Sequence, residues 1–291
     1  MNQLKKAVIP IAGLGTRMLP ASKAIPKEMF PIIDKPIIQH VVEEIILSGF
    51  TEIILVTHSS KNSIENHFDT SFELEATLDK RIKRSLLREI KSISKLKSSI
   101  VSIRQGEAKG LGHAILMSKH IIGNEPFAVV LPDRVMNEFS TDLRINNLSK
   151  MRKEFLKDGN TKILLEKVLK KDVENYGIAK LKKNQRKGPK EIIDIVEKPK
   201  KENAPSNFAV VGRYIFNSNI FNFIEQKEKK GKEIELTDAI KNLIYSGEKI
   251  DSCFLKGECF DCGNKKGYVR AIMQIAKNRA DFKKDFKKLI Y

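Results

Sequence analysis

Three stretches of this sequence carry residue types suited to chemistry on phosphate. The first is Gly13-Leu14-Gly15-Thr16-Arg17, followed by Lys23 and Lys27. Two glycines let the backbone turn sharply and bring its N–H groups close to an oxyanion. Pro20, Pro26, Pro31 and Pro36 argue against a helix here and are expected to hold the segment extended. A glycine turn with a basic, stiffened loop reads as a polyphosphate cradle. The second stretch is RQGEAKGLGHA over 104–114, where glycines again mark a turn, and the third is Leu131-Pro132-Asp133. Two familiar cradles fit less well. A dinucleotide fingerprint needs a third glycine where Met18 stands, and the Walker pattern G-x-x-x-x-G-K-[ST] is absent.

These stretches need elements to position them. The apolar run 7–12 has the length of a buried strand. Apolar residues at 37, 38, 41, 42, 45 and 46 have helical spacing, and Gly49 suits the stop. A second strand is predicted over 52–57, and a short helix over 60–68 with Ser60 or Asn62 as its cap. The charged stretch 72–97 reads as a helical excursion on the surface. A third strand over 99–104, a helix reaching Ile122 and a fourth strand over 126–131 follow. This alternation predicts a parallel sheet covered by helices, with ligands at the carboxyl ends of the strands. The second half changes character. Strands over 162–168, 178–181, 191–196 and 209–215 follow with short links, and 182–190 forms a basic hairpin tip. Helices over 217–226 and 236–246, a strand over 250–255 and a long basic helix over 265–290 complete the reading. The fold class expected is α/β: a Rossmann-like, mostly parallel sheet with helices on both faces and an added mixed or antiparallel region. We expect a single domain over 1–291, with a nucleotide-binding part at about 1–135, a sugar-phosphate part at about 136–264 and a helical segment at about 265–291.

Composition narrows the class. The chain has 291 residues and 41% hydrophobic content, enough to bury a large core. No apolar run is long enough to cross a bilayer. The short apolar run near the N-terminus ends in a glycine–arginine loop, unlike a signal peptide, so a cytoplasmic protein is expected. Lys plus Arg is 54 against 36 for Asp plus Glu, a net charge of +18. That balance suits a nucleic-acid binder, an enzyme handling triphosphates, or simply a lysine-rich solvated surface. Trp is absent, which leaves stacking platforms for single strands poorly supplied. Cys259 and Cys262 form C-x-x-C, with Cys253 nearby, but neither a second pair nor a neighbouring His completes a zinc set. Buried or incidental thiols are the expectation.

The longer string GLGTRMLPASKAIPKEM over 13–29 resembles the signature of the sugar-nucleotide pyrophosphorylases. These nucleotidyltransferases join a sugar 1-phosphate to a nucleoside triphosphate. The resemblance extends along the chain through 104–114, Leu131-Pro132-Asp133, Asn175-Tyr176-Gly177 and Val196-Glu197-Lys198-Pro199. NFAVVGRY over 207–214, EIELTDAI over 233–240 and DCGNKKGY over 261–268 complete it. The bacterial uridylyl branch is the nearest pattern. The thymidylyl branch usually opens G-G-x-G-T-R, and Ala12 stands where that first glycine would be.

The resemblance implies an enzyme that makes UDP-glucose and pyrophosphate from UTP and glucose 1-phosphate, with Mg²⁺. It also implies a homo-oligomer, dimer or tetramer, with neither membrane nor nucleic acid as a partner. It assigns triphosphate contacts to Arg17 and Lys27, and nucleotide contacts to Ala12, Gly13, Gly15, Thr16, Gln105 and Gly110. Sugar-phosphate contacts fall to Gly177, Glu197 and Lys198, and metal ligation to Asp133 and Asp261. Each has a plainer reading. Arg17 and Lys27 suit surface cations, Asp133 a helix cap, Asp261 a turn, Gln105 a loop amide, and Glu197–Lys198 a surface pair. His113 reads as a packing or capping residue. Arg134 departs from the pattern, because an apolar residue commonly follows that aspartate in the family. It either touches phosphate or points to solvent.

Overall fold

The computed structural model describes residues 4–80, 83–96, 100–107, 109–183, 190–228 and 233–284, together with 286 and 288. Strand β1 (Lys6–Pro10) is buried on both faces. Its side chains alternate, with Val8 in one apolar cluster and Ala7 and Ile9 in the other. Beyond it the chain makes three 3-10 turns, at Thr16–Met18, Ala21–Lys23 and Lys27–Met29. The segment is therefore coiled rather than extended. Pro20 and Pro26 stand just before two of these turns, where a fixed φ and a missing N–H cost little. A small hairpin, β2 (Pro31–Ile32) with β3 (Lys35–Pro36), leads into α1 (Ile37–Leu47).

The predicted alternation then follows: β4 (Glu52–Thr57), α2 (Asn62–Phe68), α3 (Phe72–Lys80), α4 (Arg84–Leu96) and β5 (Ile100–Arg104). Lys61 occupies the cap position of α2 and no side chain caps it, so neither Ser60 nor Asn62 has that role. The helix expected to reach Ile122 is broken into α5 (Leu111–Leu116) and α6 (Lys119–Ile122). Between them the Ser118 hydroxyl donates to the Ile115 carbonyl at 2.6 Å, a local bond that competes with the helical ladder. Next come β6 (Phe127–Val130), β7 (Arg134–Met136), α7 (Leu148–Asp158), β8 (Thr161–Lys167), β9 (Gly177–Leu181), β10 (Ile192–Glu197) and β11 (Phe208–Phe216). The chain closes with α8 (Ile220–Glu228), α9 (Leu236–Tyr245), β12 (Ile250–Phe254), β13 (Cys259–Asp261), α10 (Lys265–Asn278) and α11 (Ala280–Lys283). The single long C-terminal helix expected is thus two. Arg279 between them is extended, and its guanidinium binds Asp34 and Asp281 at 2.5 Å each. Residues 97 and 99, the hairpin tip at 184–189, and 285, 287 and 289–291 lie outside the described residues.

Among the described residues, nine strands form one sheet. β1 runs parallel to β4 and β6, and β4 parallel to β5. β11 runs antiparallel to β6, β8 and β9, and carries the second half onto the first. This is the α/β class expected, parallel in its first half and largely antiparallel in its second. Helices α1, α2 and α7 pack in one cluster, and α5, α8 and α9 in the other, so both faces of β1 are covered.

One buried ion pair ties this framework to the third phosphate-suited stretch. Arg213 of β11 is fully buried and donates to both oxygens of Glu44 on α1, at 3.0 and 2.6 Å. It also donates to the carbonyls of Leu131, at 3.1 Å, and Arg134, at 2.6 Å, which flank Asp133. Replacing Glu44 with Leu leaves that guanidinium buried without its counter-charge. We expect a loss of about 3–5 kcal/mol in urea unfolding; a loss below about 1 kcal/mol would show the pair to be dispensable.

Candidate active site

A cavity of about 340 Å³ opens where the carboxyl ends of the parallel strands meet the antiparallel half. Its lining brings together Arg17, Lys27, Asp133, Gly177, Glu197, Lys198 and Asp261. These residues come from five segments spread over most of the chain. A second cavity on the other side of the first loop is lined by Ala12, Thr16, Lys23 and Lys61, and shares Lys27 with the first. Gly13 and Gly15 belong to the turn between them but line neither cavity. Gly15 adopts φ 67° and supplies the left-handed step that starts the Thr16–Met18 turn.

Gln105 and Gly110 also stand apart from the main cavity, although Leu111 lines it. Gln105 is buried at the end of β5, and its Nε2 lies 2.7 Å from His113 Nδ1. His113 is thus a buried packing residue that fixes the orientation of Gln105. A side chain at Gly110 would strike Glu233 and the Ile234 carbonyl, each at 2.8 Å. Its φ of 98° and the 233–234 segment both call for glycine there.

The main cavity is charged at its base. Lys27 Nζ is in direct contact with Asp133 Oδ2, and both side chains are largely buried. Burial alone would lower the pKa of Lys27 and raise that of Asp133. Their mutual attraction and hydrogen bond, helped by Glu28 at the lysine and by Arg17 and Arg134 at the aspartate, outweigh it. Lys27 is held above its usual pKa and Asp133 below, so both remain ionised.

Gly263 marks the point of convergence. A Cβ placed there would lie 2.6 Å from Asp133 Oδ2, 3.1 Å from Arg17 Nη2 and 3.1 Å from Asp261 Oδ1. Its own N–H donates to Asp261 Oδ1 at 3.1 Å, so Asp261 is a turn residue and faces the cavity as well. No helix follows Asp133, which removes the capping reading. Two hard carboxylates beside one small space, with other positions left for water and phosphate, fit a divalent metal of the Mg²⁺ type. Among the described residues, no cluster of three or more His, Cys, Asp or Glu is placed to hold a metal ion. The three thiols are free. Burial raises the pKa of Cys259 to about 11 and those of Cys253 and Cys262 further, which keeps all three protonated.

The sugar-phosphate candidates form the opposite wall. Lys198 has φ 41°, an uncommon conformation for a residue with a side chain, directly after β10. Its Nζ lies 3.2 Å from Glu197 Oε1, and it remains largely exposed at the cavity mouth. A Cβ on Gly177 would meet Glu197 Oε2 and Thr237 Cγ2, each at 3.2 Å.

A family model described as nucleotidyl transferase matches residues 6–278. The chain belongs to the nucleotidyl transferase family. It is 52% identical over 277 residues to an Escherichia coli UTP–glucose-1-phosphate uridylyltransferase, covering 94% of this chain and 90% of that one. A solved structure described as UTP-bound UGPase from Acinetobacter baumannii superposes with TM-score 0.90 at 42% identity, over 99% of both chains. A UDP-glucose pyrophosphorylase complexed with UDP-glucose gives 0.82 at 39%, over 95% of this chain and all of the other. Nucleotidyl transferases of this family generally use a divalent metal. Among the described residues, no helix is long and apolar enough to cross a membrane.

Several residues at the site were not singled out from sequence as site residues. Lys61 is nearly buried, pairs with the buried carboxylate of Glu28 at 2.8 Å, and lines the second cavity. Its place just after β4, at the carboxyl edge of the sheet, was the available signal. Arg134 neither points to solvent nor stands alone: it is 6% exposed and lines the main cavity. Gly263 lies within DCGNKKGY, and nothing in that string marks it as the point where the three charged groups meet. Gly263→Ala should displace the two aspartates and Arg17 while leaving the fold intact. We expect kcat/KM to fall roughly a hundredfold with an unchanged far-UV circular dichroism spectrum; wild-type turnover would mean that the three charged groups do not act at that point.

Proposed function

We propose that this chain makes UDP-glucose and pyrophosphate from UTP and glucose 1-phosphate, as a single nucleotidyltransferase domain. The observation that carries the reading is the assembly of four basic and acidic candidates, Arg17, Lys27, Asp133 and Asp261, opposite Glu197 and Lys198 across one cavity. The names of relatives that match nearly the whole chain agree with it.

A phosphate oxygen of glucose 1-phosphate attacks the α-phosphorus of UTP in line, the new P–O bond forms, and pyrophosphate leaves with the electron pair of the broken bond. The nucleophile is already anionic at neutral pH, since a phosphate monoester has its second pKa near about 6. No general base is required. The barrier lies in bringing two polyanions together and stabilising charge on the α-phosphoryl and leaving group. Arg17 supplies a planar fork for phosphate oxygens and Lys27 a point charge that burial does not neutralise. Lys198 binds the phosphate of the sugar phosphate, Glu197 accepts from sugar hydroxyls, and Gly177 leaves room for the sugar ring. Gln105, oriented by His113 and set apart from the main cavity that Leu111 lines, would meet the uracil edge. Asp133 and Asp261 would hold Mg²⁺, which when bound neutralises phosphate charge as a Lewis acid.

Incubation with UTP, glucose 1-phosphate and Mg²⁺ should release pyrophosphate faster than the same mixture with dTTP; no release with any divalent metal refutes the reading. Lys198→Ala should raise the KM for glucose 1-phosphate at least tenfold, roughly the worth of one charge-assisted contact, and leave UTP affinity unchanged by calorimetry. An equal loss of UTP affinity would remove Lys198 from the sugar-phosphate role.

A further inference from the structure

We propose that Arg134 is a positioning residue that sets the metal affinity of the Asp133–Asp261 pair, holding it below what the two carboxylates alone would give. The purpose of the metal rests on the function proposed above; the affinity effect does not.

β7 and β13 form a two-stranded antiparallel ladder in which Arg134 stands directly opposite Asp261. Directly opposed residues send their side chains to the same face, and both line the main cavity. Arg134 Nη1 lies 3.9 Å from Asp261 Oδ2. The guanidinium is fixed from two further directions. Its Nη2 bonds Glu166 Oε1 of β8, and its plane lies over the Tyr176 ring at 5.5 Å. Its own carbonyl is held by Arg213 Nη2 at 2.6 Å. The side chain is 6% exposed, and these partners hold it in place.

A guanidinium does not lose its proton in a protein. Any divalent cation that Asp133 and Asp261 bind therefore meets a fixed positive charge a few ångströms beyond one of its ligands. Like charges at such distances in a partly buried site repel by an amount that shows in affinity. Glu166 offsets part of that charge, but it bonds Nη2 where Asp261 faces Nη1, and it is not among the residues lining the cavity. Holding Asp261 through the ladder also restricts the carboxylate to the orientation in which it faces Gly263.

The test is a Mn²⁺ titration of the nucleotide-free protein, read by electron paramagnetic resonance of the free ion. Arg134→Met should bind Mn²⁺ about fivefold more tightly than wild type. Arg134→Lys, which keeps the charge, should stay within about twofold of it. In an Asp261→Asn background the Arg134→Met gain should vanish. Should Arg134→Met fail to fold with Glu166 left alone, Arg134→Gln carries the same expectation. An unchanged or weaker affinity in the neutral variants overturns the proposal, as does an equal gain in Arg134→Lys. So does Mn²⁺ binding that survives Asp261→Asn undiminished. Turnover is measured separately, on wild type alone. Absence of pyrophosphate release there contradicts the proposed function and leaves the affinity series standing.

Discussion

The contact between Lys27 and Asp133 is the constraint on which the site depends. Burial disfavours both charges, and the attraction between them is the largest influence that offsets it. The protein thus holds a cation and an anion, both largely buried, at the base of the cavity. The rest of the base repeats the device. Arg134 is set against Glu166 and Asp261, Lys61 against Glu28, and Arg213 against Glu44. Pairing of this kind is weak evidence of stability, since desolvation offsets much of the attraction. Its value here is geometric. Each pair fixes a charge whose partner belongs to another element.

The sheet makes those meetings possible. β11 pairs with β6, β8 and β9, so a strand late in the chain lies beside the strand that ends at Val130. Through it, Gly177 and Glu197–Lys198 come to face Asp133, and Arg213 reaches the carbonyls on either side of it. The ladder of β7 and β13 then closes the base by setting Asp261 beside Arg134. Residues far apart in sequence are thus brought to one cavity by strand pairing.

Much of this was legible in the sequence. The strands 52–57 and 209–215 were readable because long buried apolar runs have few alternatives, and the parallel order followed from strand and helix alternation. The glycine turn before Arg17 was readable because a φ of 67° at Gly15 is a demand that composition reveals. Other features were hidden for physical reasons. Helix α7 escaped notice although Leu148, Met151 and Phe155 lie on one buried face, because lysines and an arginine dominate its composition. The 3-10 turns of the first loop looked extended because proline is compatible with both. The break at Ser118 depends on one side-chain bond, and the break at Arg279 on partners from opposite sides of it in the chain. Arg134 was ambiguous because its destination is decided by Glu166 and Tyr176, which only the fold brings near.

The central claim is that the site works by placing charges around two polyanions, with no nucleophile contributed by the protein. The stereochemistry at the α-phosphorus tests this directly. With one diastereomer of UTP carrying sulfur at the α-phosphate, and glucose 1-phosphate as acceptor, a single in-line displacement inverts the configuration of the UDP-glucose formed. The account predicts inversion. Retention would require two displacements and a nucleotidyl group carried on the protein, and would contradict it.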